Sequence, residues 1–110
     1  MSEYYLIINA DDFGYCPDRN RAIIEAFNKK SISSSSLLVN SLFAKDAAKL
    51  ALEHNLPLGL HFNITEGKPV LNAHYVSTLV DEYGNFLGKF GLREALNNST
   101  VNSEHVRYVL

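Results

Sequence analysis

The sequence predicts an α/β fold on parallel strands, and three observations carry that prediction. Short apolar runs alternate with stretches of helical periodicity. The elements follow the order strand, helix, strand, helix, strand, which nearly always crosses over right-handed into a parallel sheet. Polar, chemistry-bearing residues stand just after each apolar run, where parallel α/β folds place their sites.

The first strand is expected over Tyr4 to Asn9, a short apolar run ending in polar residues. Pro17 suits the first turn of a helix, along which Ala22, Ile23, Ala26 and Phe27 recur at helical spacing. Lys29 and Lys30 near its end complement the helix dipole. After the polar run Ser31 to Ser36, Leu37-Leu38-Val39 reads as the second strand, stopping at Asn40. The second helix sets Phe43, Ala47, Leu50 and Ala51 on one face and ends at Asn55 and Pro57. The third strand is expected over Leu58 to Ile64, with Leu58, Leu60, Phe62 and Ile64 on one side and Gly59, His61, Asn63 and Thr65 on the other. Beyond Thr65 the pattern loosens. Glu66 to Pro69 reads as a tight turn, Asp81 to Phe86 as another turn, and Asn97 to Asn102 as a loop. A last helix begins near Ser103 and carries Val106, Val109 and Leu110.

Composition narrows the classes. The 110 residues are 46% hydrophobic, enough to bury a core in one small domain. A net charge of −2, with Lys and Arg dispersed, offers no basic stripe for nucleic acid. No apolar run reaches membrane-spanning length, and no signal peptide is evident at the N-terminus. Cys16 is the single cysteine and fits a reducing compartment. The expectation is a soluble, cytoplasmic protein with neither internal repeat nor linker.

The strand ends gather Asn9, Asp11 and Asp12 from the first, Asn40 from the second, and His61 and Asn63 from the third. Two adjacent carboxylates repel, and a divalent cation relieves this by taking one as ligand and leaving the other as base. An imidazole suits zinc and similar ions; carboxylate and water suit magnesium as well. Read singly, each residue has a plainer role: an aspartate can cap the following helix, and a lone histidine is usually a satisfied core residue. Their convergence favours a site. Other signals are weaker. Asp12-Phe13-Gly14 spells the metal-binding tripeptide of protein kinases without the glycine-rich loop or His-Arg-Asp segment that belongs with it. His54 reads as a surface residue at a helix end, and His74 and His105 as solvated. A receiver module, which also has paired acids after its first strand, needs an aspartate where the third strand here carries His61-Phe62-Asn63.

Two separated motifs, Asn9-Ala10-Asp11-Asp12-Phe13-Gly14 followed by Asn20, and Gly59-Leu60-His61-Phe62-Asn63-Ile64-Thr65-Glu66-Gly67-Lys68-Pro69-Val70, resemble the YdjC-like carbohydrate deacetylases. The resemblance runs from about Tyr5 to about Phe86. It implies the N-terminal part of a distorted β/α barrel with parallel strands, residues 1–110 forming a partial domain of it, since such barrels typically need about 250 residues. It also implies removal of acetyl groups from N-acetylated sugars such as chito-oligosaccharides, with magnesium the usual metal and zinc equally suited to the ligands. Asp11 would be the general base, with Asp12 and His61 as metal ligands. A third ligand is expected in an Asp-x-His-x-His-like stretch beyond Leu110. Asn40 and Asn63 are expected to contact substrate from their strand-end positions. The expected partner is an acetylated oligosaccharide, with no nucleic acid or membrane, and with room for a homodimer. The rival is a non-catalytic product that pairs with a full-length subunit.

Overall fold

In the computed structural model, which describes residues 1–110, the chain divides into two compact units, Met1–His61 and Phe62–Leu110. The first unit has the expected order: β1 (Asn9–Phe13), α1 (Pro17–Asn28), β2 (Ser34–Leu37), α2 (Ala44–His54) and β3 (Leu58–Leu60). The three strands form a parallel sheet in the order β1-β2-β3. No helix is long and apolar enough to cross a membrane.

The strands sit differently from the apolar runs. The run Tyr4 to Asn9 is not a buried strand: Tyr4 is 92% exposed and Ile8 45%, and β1 begins only at Asn9. Pairing sets that start. Ile8 O accepts from the backbone N–H groups of Ser33 and Ser34, and the Asn9↔Ser34 register follows, so earlier residues have no neighbouring strand to join. The second strand is Ser34–Leu37 rather than Leu37–Val39, because the ladder takes its first residues from the polar serine run. The third strand stops at Leu60. One further bond, His61 N–H to Leu37 O at 2.9 Å, carries its edge to His61. Ile64 is instead packed in the core of the second unit.

Each helix follows from its ends and its buried stripe. Pro17 opens α1 after an extended Cys16, and Ile23 and Ile24 are the buried residues of its apolar face, while Ala22 is exposed. In α2 the buried stripe is Ala47 and Ala51. Both helices close with a left-handed residue, Lys30 (φ 59°) after α1 and Asn55 (φ 57°) after α2. In each case the next N–H reaches back to a carbonyl of the last turn, Ser31 to Ala26 O and Leu56 to Ala51 O, both at 2.9 Å. That arrangement satisfies carbonyls that the helix end would otherwise strand, and it buries Leu56 against the helix it terminates.

The first core joins Phe13, Ile23, Ile24, Ala47, Ala51 and Leu56, with Ala10, Phe27, Ile32, Leu37 and Leu50 at its margin. The helices therefore cover the sheet face that carries Ala10 and Leu37. Ser35, on that face, is fully buried, and its hydroxyl donates to Ala10 O at 2.6 Å.

The second unit contains a 3-10 segment (Ala73–Leu79) kinked at Val76, α3 (Gly88–Asn97) and α4 (Ser103–Val109). The 3-10 segment and α3 differ from the turns and loop expected from the sequence between Thr65 and Ser103. Asp81 to Phe86 is a turn as expected, with Asp81 Oδ1 accepting from the N–H groups of Tyr83 and Asn85. Val76, Leu79 and Phe86 form its core, joined by Ile64, Val80, Leu92, Val101, Val106 and Val109. His105 is not solvated: it is half-buried, its Nδ1 lying 2.8 Å from Thr78 Oγ1 and accepting from Thr78 N–H at 3.2 Å.

Leu56 and Leu52 lie four residues apart in sequence with opposite surroundings. Leu56→Ala is expected to destabilise the first unit by about 2–5 kcal/mol. Leu52→Ala, at an exposed position, should stay within about 0.5 kcal/mol. Urea denaturation followed by far-UV circular dichroism measures both; equal losses would contradict the packing described.

Candidate active site

The uncovered sheet face is polar. Asn9 and Asp11 alternate on β1, Ser34 and Ser36 on β2, and Gly59 follows on β3 in register with Ser36. His61, two residues after Gly59, continues that side. Parallel strands are normally apolar on both faces. The polar row on this face departs from that pattern.

A break in β1 shapes its end. The register with β2 shifts between Ala10 and Phe13, and Asp12 takes a left-handed conformation (φ 65°). Such a bulge re-aims side chains and is found beside active sites. Past the bulge the chain is pinned from several sides. Phe13 O accepts from Leu38 N–H at 2.8 Å. Gly14 N–H donates to Asn20 Oδ1 at 2.7 Å, and Asn20, 1% exposed, reaches the Phe43 carbonyl with its amide nitrogen at 3.5 Å. Gly14 has φ 99°, and a Cβ there would stand 2.7 Å from Ser41 Oγ, which itself donates to Gly14 O at 2.6 Å. Only glycine fits that position.

The two aspartates are thereby separated into different surroundings. Asp11 is exposed on the polar face, and its Oδ1 accepts from Asn9 Nδ2 at 2.9 Å. Asn9 is itself fixed. Its second N–H goes to Ser36 Oγ at 2.8 Å, and its Oδ1 accepts from Ser34 Oγ at 2.8 Å. Asp12 is half-buried between two cation-capable groups, His61 Nδ1 3.3 Å from Oδ1 and Arg19 Nη1 3.0 Å from Oδ2. His61 Nδ1 is also 3.3 Å from the Asp12 backbone nitrogen. These two contacts need opposite protonation at Nδ1. Unprotonated, it accepts from the amide; protonated, it donates to the carboxylate, and Nε2 then carries the free lone pair.

Of the five residues singled out in the sequence, Asp11, Asp12 and His61 are brought to one edge of the first unit. Asn40, half-buried, occupies the turn after β2 on the way to α2. Asn63 belongs to the second unit, where its side chain folds its own loop: Oδ1 accepts from the N–H groups of Thr65 and Glu66, both at 3.1 Å, and Nδ2 donates to Glu66 O at 2.9 Å. His54 stays at the end of α2, 3.1 Å from Asn28 Nδ2.

The donor chemistry of Asp12 and His61 fits a divalent cation. A carboxylate oxygen and an imidazole nitrogen face one another; the imidazole suits zinc and similar ions, and the carboxylate with water suits magnesium as well. No third His, Cys, Asp or Glu joins them to form a three-residue cluster. Three further residues had no role assigned from the sequence: Asn9, Asn20 and Arg19. Arg19 had a readable signal, since a cation in the first turn of a helix opposes the dipole and calls for an anionic partner nearby.

Against known proteins, residues 5–108 match the sequence profile of the YdjC-like protein family. A carbohydrate deacetylase of Mus musculus is 50% identical over 103 residues, covering 93% of this chain and 33% of that protein. A chitooligosaccharide deacetylase of Serratia marcescens is 45% identical over 94 residues, covering 84% of this chain and 36% of that protein. The chain thus spans about a third of the length of the curated relatives it matches. A crystal structure of an Enterococcus faecalis V583 protein, provisionally assigned to cellobiose-phosphate cleavage, superposes with a TM-score of 0.78 at 36% identity, covering 91% of this chain and 38% of that one.

Asn20→Ala would leave the buried Gly14 N–H without its acceptor. The expected cost is about 1–3 kcal/mol, read by chemical denaturation, together with faster amide hydrogen exchange at Gly14. Unchanged exchange at Gly14 would show that Asn20 does not hold the bulge.

Proposed function

The chain belongs to the YdjC-like family, and from that premise we propose that it carries part of the catalytic site of a metal-dependent hydrolase that removes acetyl groups from N-acetylated carbohydrates such as chito-oligosaccharides. The observation that carries this reading is the difference in surroundings between Asp11 and Asp12. Asp12 faces His61 and Arg19, whereas Asp11 stands on the polar face held by the Asn9 amide. Relatives named as carbohydrate and chitooligosaccharide deacetylases support the choice of substrate.

In this reading Asp12 and His61 hold the cation, magnesium or zinc. When bound, that ion supplies Lewis-acid polarisation of the amide carbonyl and a more acidic water. Asp11 accepts the proton of the water that attacks the carbonyl carbon. The carbon–nitrogen bond then breaks, acetate departs, and the proton held by Asp11 is available to the amine nitrogen. Atoms balance as amide plus water giving acetate plus amine. Asn9 keeps the Asp11 carboxylate turned toward the open face, and the hydroxyls of Ser34 and Ser36 fix Asn9 in turn. Gly59, with nothing within 4 Å of where a Cβ would stand, leaves the space beside His61 open to a sugar ring.

Acetate release from N-acetylated chito-oligosaccharide, assayed with added magnesium or zinc on a full-length enzyme that includes these residues, tests the assignment. Asp11→Asn is expected to lower the rate by about 10²–10⁴-fold while leaving divalent-ion binding intact. Asp12→Asn and His61→Ala are expected to weaken ion binding and turnover together. Full acetate release by Asp11→Asn would remove Asp11 from the role of base.

A further inference from the structure

The two oxygens of Asp12 have different neighbours. Oδ1 faces His61 Nδ1 at 3.3 Å, and Oδ2 faces Arg19 Nη1 at 3.0 Å. We infer that Arg19 determines how Asp12 takes a cation: by holding Oδ2 it leaves Oδ1 alone for the ion, and so selects ions that accept a single carboxylate oxygen over ions that favour two. The inference rests on the reading of Asp12 and His61 as a metal-binding pair and adds to it a residue that sets cation specificity.

Arg19 is built into this position. It is the third residue of α1, where the helix dipole disfavours a cation, and Asp12 offsets that cost. Its guanidinium lies 4.3 Å from the centroid of the Tyr15 ring. Tyr15 is tied to the same turn, its N–H donating to Asp12 O at 3.1 Å. Ring and carboxylate together orient a planar, permanently charged group, so little conformational freedom is lost in forming the pair. With side chains 43% and 41% exposed, solvent screens the interaction, and its effect on affinity is moderate rather than prohibitive.

The consequence differs between ions. Magnesium demands near-octahedral geometry and keeps several waters, so one oxygen from Asp12 suffices. Manganese and zinc accept the same oxygen together with an imidazole nitrogen. Calcium takes more oxygen ligands and commonly grips a carboxylate through both. With Oδ2 held by Arg19, that two-oxygen grip is closed until the ion pair opens. The guanidinium also repels every cation approaching Asp12. Removing it should therefore tighten all divalent ions, and calcium most.

The test is the affinity of the 110-residue chain, unmodified and as Arg19→Gln and Arg19→Lys, for manganese and calcium. Manganese is followed by paramagnetic broadening of the Asp12 and His61 resonances, and calcium by its displacement of manganese. Arg19→Gln is expected to tighten manganese about two- to five-fold. It is expected to tighten calcium by a further factor of about three or more. Arg19→Lys, which keeps the charge and loses the planar fork, should change manganese little. Unchanged or weaker manganese binding in Arg19→Gln would overturn the inference, and so would equal gains for the two ions. A failure of the underlying pair looks different. The unmodified chain would then show no broadening at Asp12 and His61, and both the pair and the inference would fall before any change at Arg19 was considered.

Discussion

The structure of the site depends on how the chain leaves β1. Two acidic residues end a strand whose other face is buried, and both cannot simply continue the alternation. The left-handed turn at Asp12 resolves this: Asp11 stays on the polar face and Asp12 swings toward His61 and Arg19. The turn costs backbone strain, since a non-glycine residue is disfavoured there. It persists because the following residues are over-determined, with Phe13 buried, Gly14 held through both its N–H and its carbonyl, and Asn20 locked beneath them.

Alternation along the strands gives the sheet its two characters. Ala10, Ser35 and Leu37 lie toward the helices, where Ser35 is tolerated because Ala10 O satisfies it. Asn9, Asp11, Ser34 and Ser36 lie on the open side and satisfy one another as a linked set of hydrogen bonds. A strand buried on both faces offers chemistry only at its end. These strands offer a polar floor as well, and Asp11 and Asp12 stand at its edge.

The order of elements was legible in the sequence, because helix periodicity, Pro17 and Asn55 are local signals, and the acidic pair stands out in the same way. Strand limits were not. Tyr4 to Ile8 are as apolar as a core strand, yet they have no neighbour to pair with, and pairing is a property of two segments at once. The polar serine run was placed ahead of the second strand, although Ser34 to Ser36 form most of β2; their hydroxyls serve Asn9 and Ala10 O, a role composition cannot display. His105 escaped because its partner, Thr78, lies 27 residues away. Arg19 and Asn20 act through contacts that form only once α1 folds back along the end of β1. The family resemblance was stated on two motifs, and the family profile over residues 5–108 supports it.

The central claim is that Asp12 and His61 act as one cation-binding pair. Anomalous diffraction from a crystal soaked in zinc tests it most directly. The account predicts a single strong peak within bonding distance, about 2.0–2.2 Å, of both Asp12 Oδ1 and a His61 ring nitrogen. A peak on His54, His74 or Cys16 with none shared by Asp12 and His61 would contradict it.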